Sequence, residues 1–177
     1  MKNKQFALWL MGPSASGKTT VALNLLMRVR EKGRLAIHYD GDEVRDFFGS
    51  DYGFSKRNRL NVVKTLVHLA NKSTEAGINV IISALTANND ARKYVKKNVK
   101  NLIFVYVDCS IKTCVQRDPK GLYKKAINGE IDTLIGYNSE YEPLDNFHIK
   151  INTENYTCDD CVDRIITNLN DYGFNMK

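Results

Sequence analysis

Short apolar runs alternate along the chain with longer stretches in which apolar residues recur every three or four positions. "FALWLMG" (6–12) has no polar interruption and reads as a buried strand, while "KTTVALNLLMRVREKG" (18–33) has helical spacing and closes on a glycine. "RLAIHYD" (34–40) reads as a second strand, and "KRNRLNVVKTLVHLANKSTEAG" (56–77) as a long helix, again ended by glycine. The strand "INVIISAL" (78–85), the helix "ANNDARKYVKKNV" (87–99) and the strand "NLIFVYVD" (101–108) follow. "SIKTCVQRD" (110–118) reads as a short helix and 118–146 as a polar segment. "FHIKIN" (147–152) is a last strand, and "TCDDCVDRIITNLNDYG" (157–173) a closing helix with Thr157 as N-cap.

Strands buried on both faces and alternating with helices predict an α/β fold with a doubly wound, predominantly parallel five-stranded sheet. No repeat or Pro/Gly linker divides the sequence, so residues 1–177 are expected to form a single domain. Ligands bind beyond the carboxyl ends of such strands. Here those ends carry "GPSASGKTT", "DGDEVR", "SALTANND" and "DCS", all on one rim.

Composition changes this picture little. The chain has 177 residues, of which 43% are hydrophobic, enough for a proper core. No run approaches the roughly 18 apolar residues of a membrane span, and the apolar N-terminus leads straight into a glycine-rich loop rather than a cleavage site. The expected setting is the cytoplasm. A net charge of +6 suits anionic ligands without arguing for nucleic acid, and the lysines of "RKYVKKNVK" (92–100) read as a solvated helix face. "CDDC" (158–161) has no second pair at zinc spacing, so Cys158 and Cys161 read as structural. His38, His68 and His148 lack an acidic or cysteine partner at a telling spacing and are read as structural too.

The chemistry starts at "GPSASGKTT". Gly12, Gly17, Lys18 and Thr19 fit G-x-x-x-x-G-K-T between a strand and a helix, the context of a phosphate-binding P-loop. Small residues, Ser14 and Ser16 among them, let backbone N–H groups converge on phosphate oxygens, with Thr20 in the same turn. Lys18 is expected to reach the β- and γ-phosphates of ATP and Thr19 to bind Mg²⁺. The chain is too short for a motor domain, and no N-K-x-D tetrad marks a guanine-selective GTPase. A compact P-loop chain with a polar segment after the fourth strand suggests a nucleotide-type kinase with a lid over about 117–146, closing to exclude water.

Asp40 and Asp42 are two apart, so in an extended segment both side chains leave one face, at a cost that a cation or acceptor hydroxyl would relieve. Either carboxylate suits a general base or a metal-orienting group. Alternatively, Asp42 is the N-cap of a helix starting in "EVRDFF".

With this loop, "DGDEVR", "GFS" followed by an arginine, and "DPKGLYKKA" followed by "GEI", the sequence resembles the adenylylsulfate kinase family over roughly residues 5–153. The resemblance implies transfer of the γ-phosphate of Mg²⁺–ATP to the 3′-hydroxyl of adenylyl sulfate, and a homodimer. It puts Lys18, Asp40 and Asp42 at the reacting groups, with Thr19 and Asp40 near the metal. Arg45 matches an arginine on the substrate's anionic bridge, Phe54 an aromatic stacked on its base, and Arg59 a second substrate-binding arginine. Lys120 matches a lid lysine contacting substrate, Arg117 meets ATP as the lid closes, and Thr86 keeps a hydroxyl in the segment matching "SFISPYR". Ion pairing for Arg45 and Arg59, and a core place for Phe54, are the plain structural alternatives.

The match breaks in four places. Pro13 and Ala15 replace a leucine and a glycine of the family's loop. Val62 stands where the family has asparagine, with Asn61 one place early and thus rotated by about 100° on a helix. Asn89 replaces an arginine, although Arg92 matches the next one. Leu134 replaces the second aromatic face of the base sandwich, a loss of about 1–3 kcal/mol in stacking. The last three departures concern the acceptor, and with Gly12, Gly17 and Lys18 kept the transfer machinery stays intact. A 3′-kinase of a cytidine nucleotide, such as cytidine diphosphoramidate in surface-polysaccharide modification, is therefore the second reading. Another small-metabolite kinase and a non-catalytic nucleotide-binding regulator come after it.

Overall fold

The computed structural model describes residues 4–142 and 146–176. Its elements, in chain order, are β1 (Ala7–Met11), α1 (Lys18–Glu31), β2 (Ala36–Asp40), α2 (Gly41–Asp46), a 3₁₀ turn (Ser50–Tyr52) and α3 (Lys56–Glu75). They continue with β3 (Asn79–Ser83), α4 (Asn89–Asn98), β4 (Leu102–Asp108), α5 (Ile111–Arg117), α6 (Leu122–Ile127), β5 (Ile149–Asn152) and α7 (Cys158–Asp171).

The five strands form one parallel sheet in the order β2-β3-β1-β4-β5. Strand alternation divides its two faces. Phe6, Leu8 and Leu10 pack with Val21, Leu25, Ile165 and Leu169 of α1 and α7, whereas Ala7, Trp9 and Met11 pack with Leu66, Ala70 and Val95 of α3 and α4. β1 is buried along its whole length, as expected for a central strand covered by helices on both sides. The chain returns on opposite sides of β1, so its carboxyl end is the switch point where such sheets bind ligands.

Two short helices fall where no periodicity marks them. α2 follows β2 directly and is capped by the Asp40 side chain, which accepts the Asp42 N–H. α6 lies inside the polar segment; the Asp118 carboxylate accepts the N–H groups of Tyr123 and Lys124 at 3.1 and 2.9 Å, giving this single turn and a half its start. Its buried face, Tyr123 and Ala126, forms a third apolar cluster with Cys109, Cys114 and Leu134. Residues 143–145 of the polar segment lie outside the described residues. The closing helix starts as expected, with Thr157 and Asp160 forming a reciprocal capping box. The lysines of α4 are exposed, but Arg92 is buried, so that face is not wholly solvated.

Candidate active site

The loop between β1 and α1 is built on two glycines, one needed for space and one for its left-handed backbone. Gly12 has φ 153°, and a Cβ there would lie 2.5 Å from the Val107 carbonyl oxygen. Gly17 is left-handed (φ 89°, ψ 11°) and turns the chain into the first residue of α1. Ala15 is also left-handed, at φ 59°, which costs an L-residue about 1 kcal/mol. Ala15 stands where the family resemblance expects glycine.

Lys18 leaves the first turn of α1 and folds back over the loop, donating to the carbonyls of Gly12 and Pro13 at 2.9 and 2.6 Å. Burial pushes its pKa down to about 8, against the pull of Asp42 and Asp40. An ammonium held in this way is ready to exchange carbonyls for phosphate oxygens.

One residue further, the Thr19 hydroxyl donates to Asp40 Oδ2 at 2.8 Å, and Ser83 Oγ donates to the same oxygen at 2.7 Å. Asp40 Oδ1 accepts the Asp42 N–H at 2.8 Å. Burial disfavours the charge on Asp40, but the hydrogen bonds from Ser83, the Asp42 backbone and Thr19 outweigh it and hold this carboxyl below the usual carboxylate range. The parallel register explains the meeting, since Asp40 lies directly beside Ser83 at the ends of β2 and β3.

Asp42 does not share a strand face with Asp40. The chain has already turned into α2, and the cap of that helix is Asp40 rather than Asp42. The two carboxylates are relieved separately, Asp40 by its three donors and Asp42 by Lys120, whose Nζ is 2.6 Å from Asp42 Oδ2. Burial works against the Lys120 charge, but the hydrogen bond and charge of Asp42 raise its pKa.

Arg45 donates to the Gly53 carbonyl at 2.7 Å, while Arg59 donates to the carbonyls of Phe54 and Thr133 at 2.9 Å each. Both guanidinium groups lie over the Phe54 ring, 4.6 and 5.2 Å from its centroid, and Phe54 is half-exposed rather than core. Arg59 thus ties α3 to the segment after α6. Burial lowers the pKa of both arginines from a very high value, so both stay charged.

Thr86 is buried with φ 43°, an outlier for a β-branched residue. Its hydroxyl accepts the Trp9 indole N–H at 2.9 Å. Arg117 donates to the Thr153 carbonyl at 2.5 Å and to its hydroxyl at 3.2 Å, and that hydroxyl donates to the Ser16 carbonyl at 2.7 Å. Tyr123, from α6, donates to the Ser14 carbonyl at 3.1 Å. The loop is therefore braced from two sides, by Thr153, which belongs to no motif, and by Tyr123 of "DPKGLYKKA", to which the sequence pattern assigns no role. Ser83 also carried no sequence signal beyond its place at a strand end.

A cleft of about 990 Å³ gathers these groups, and every site residue expected from the sequence lines it except Gly12 and Ser16. Those two are buried beneath the loop, where they shape its backbone. Among the described residues, no cluster of three His, Cys, Asp or Glu side chains could hold a metal alone. Cys161 is buried in the core, Cys158 packs against it, and neither is in a disulfide.

A sequence model of the family described as "Adenylylsulphate kinase" matches residues 4–152. The chain belongs to the adenylylsulphate kinase family. A Clostridium kluyveri adenylyl-sulfate kinase is 39% identical over 160 residues, 90% of this chain and 80% of the relative. A Campylobacter jejuni cytidine diphosphoramidate kinase is 34% identical over 142 residues, 80% of this chain and 83% of the relative. A Mycobacterium tuberculosis APS kinase solved in complex with AMPPNP and APS superposes with a TM-score of 0.89 at 30% identity, covering 94% of this chain and 98% of that one. The fold and kinase class expected from the sequence are those of the family.

The departures from the family pattern acquire a geometry. Val62 lines the cleft and Asn61 does not, as the helical rotation requires. Arg92 lies outside the cleft lining, donating to the carbonyls of Thr86 and Ala87 at 3.3 and 2.9 Å and to Asn89 Oδ1 at 2.5 Å. It braces the strained loop after β3. Leu134 is buried against the apolar cluster beneath the segment after α6 while still facing the cleft.

Proposed function

We propose that this chain is an Mg²⁺–ATP-dependent adenylyl-sulfate kinase that phosphorylates the 3′-hydroxyl of its acceptor, with residues 117–146 as a lid. The observation that carries this reading is the convergence of Lys18, the Thr19–Asp40 pair and the Lys120–Asp42 pair on one cleft at the switch point of the sheet.

The donor set suits a hard cation. Thr19 offers a hydroxyl oxygen whose proton is already directed to Asp40, and nucleotide oxygens and water complete the coordination that Mg²⁺ prefers. Bound there, the ion would neutralise charge on the β- and γ-phosphates. The chain's own work is positioning. The loop's N–H groups and Lys18 hold the phosphates, and Arg117 adds charge from the lid side. Arg45 and Arg59 take the acceptor's anionic bridge as guanidinium forks, and its base lies on Phe54. Asp42 orients the 3′-hydroxyl; as the oxygen attacks in line, the bond from γ-phosphorus to the bridging oxygen of ADP breaks and the hydroxyl proton passes to Asp42. No covalent enzyme intermediate is needed.

Asp42→Asn tests the assignment: ATP affinity should persist while turnover falls by about a hundredfold. Full activity in this variant would remove Asp42 from the reaction. A cytidine nucleotide as acceptor remains the second reading, favoured by Leu134 in place of a ring. A homodimer, taken from the family, is the working assembly.

A further inference from the structure

β2 carries a second polar residue on the face of Asp40. His38 precedes Asp40 by two strand positions, and its Nε2 lies 2.9 Å from Ser83 Oγ. Ser83 has one proton, and it goes to Asp40 Oδ2 at 2.7 Å. The His38 nitrogen must then be the donor, carrying its proton on Nε2. The result is a directed chain from His38 to Ser83 to Asp40, meeting the Thr19 hydroxyl at the same carboxylate oxygen. Ser83 is almost wholly buried, so its hydroxyl finds its partners within the protein.

We propose that His38 is a positioning residue for the phosphoryl-transfer site, locking the Ser83 hydroxyl onto Asp40 and through it the orientation of the Thr19 hydroxyl. A hydroxyl can rotate between accepting and donating. With the His38 N–H in place, Ser83 accepts from behind and donates forward, so Asp40 Oδ2 receives two donors at once. Without it, Ser83 Oγ has no donor behind it, and its hydrogen bond to Asp40 loses the polarisation and the fixed geometry that the chained His38 N–H supplies in a poorly solvated site. The metal-facing oxygen of Thr19 then loses definition, as happens when an outer hydrogen-bond partner of a ligand is removed. The inference rests on the kinase reading of the Thr19–Asp40 pair, but not on the identity of the acceptor.

Two measurements on the full chain need no acceptor. Nitrogen-15 NMR of the imidazoles at pH 8, where burial keeps His38 neutral, should show the Nε2–H tautomer; an Nδ1–H tautomer would overturn the proposal. Titration calorimetry with ATP at varied Mg²⁺ should show the Mg²⁺-dependent gain in affinity reduced about three- to tenfold in His38→Leu. His38→Gln, which restores an N–H at that position, should recover it to within about twofold. His38→Leu combined with Ser83→Ala should be no worse than Ser83→Ala alone, because both act through one oxygen. Turnover should follow the same pattern in kcat, with acceptor KM unchanged and Tm within about 2 °C of the parent. Wild-type behaviour of His38→Leu, no recovery in His38→Gln, or losses that multiply in the double variant would each overturn it. If adenylyl sulfate proves not to be the acceptor, the tautomer and Mg²⁺–ATP readings still decide.

Discussion

Thr19 and Asp40, twenty-one positions apart in sequence, meet through a 2.8 Å hydrogen bond between the first turn of α1 and the end of β2. The bond joins the loop after β1 to the acidic segment and uses the threonine proton, leaving the oxygen to accept or to ligate at the cleft. Asp40→Asn should therefore act on the metal rather than on nucleotide contacts. Half-saturation by Mg²⁺ should rise about 10- to 100-fold and kcat should fall by a similar factor, while ATP affinity without Mg²⁺ stays near wild type. Metal-dependence curves check this.

Asp40 also predicts a pH effect. Its folded pKa lies below the unfolded value, so its contribution to stability is complete above roughly pH 4 and is lost as pH falls through the folded value. Denaturant unfolding of wild type and Asp40→Asn should differ most near neutrality and converge in acid.

Lys18 behaves in the opposite range. Its pKa is about 8 in the unliganded protein, below that of an unfolded lysine, so the unfolded chain binds more protons between the two values. Stability from this group should rise as pH increases from about 8 to about 10. Phosphate oxygens restore the charged form, so ATP binding at pH 8 should take up about half a proton. Calorimetry in buffers of different ionisation enthalpy measures that uptake, and Lys18→Ala should abolish it.

Phe54 is half-exposed, and two guanidinium groups rest over its ring. Phe54→Ala should leave Tm within about 2 °C and raise acceptor KM by roughly 5- to 100-fold, with ATP KM unchanged. Steady-state kinetics with each substrate varied separately decides it.

The Lys120–Asp42 pair is short, but both side chains are largely exposed, which limits its worth to about 0–1 kcal/mol. Lys120→Ala should unfold at nearly the wild-type denaturant midpoint yet bind acceptor more weakly. A large loss of stability would mean that the pair holds the lid segment shut rather than serving substrate.

The long elements were legible because burial on two faces or on one helical stripe writes a period into the sequence, as in "FALWLM" and in α3. Helix α6 was not, and α2 only as an alternative, since each is about a turn and a half, too short to write a period, and starts on a nearby carboxylate, Asp40 or Asp118. The P-loop and "DPKGLYKKA" could be read because their backbone requirements fix residue types. Asp40 stands at the end of the second strand, as the pattern predicts, but Asp42 does not share its face because the strand ends between them. The period-two rule applies one step earlier, to His38 and Asp40, which share a strand face and meet at Ser83. Thr86 carries the hydroxyl that the family resemblance expects, and its Trp9 partner, 77 positions away, is invisible to sequence spacing. Ser83 and Thr153 act through register and loop return, which a single sequence does not display, and the same holds for the contact of Tyr123 with the Ser14 carbonyl.

The central claim is the acceptor and the position phosphorylated. Purified protein incubated with Mg²⁺–ATP and, separately, adenylyl sulfate or cytidine diphosphoramidate should be followed by mass spectrometry and phosphorus NMR of the products. The account predicts ADP and 3′-phosphoadenylyl sulfate in equal amounts, with adenylyl sulfate preferred over the cytidine nucleotide. Phosphorylation of the cytidine nucleotide alone, or ATP hydrolysis without a phosphorylated acceptor, would contradict it.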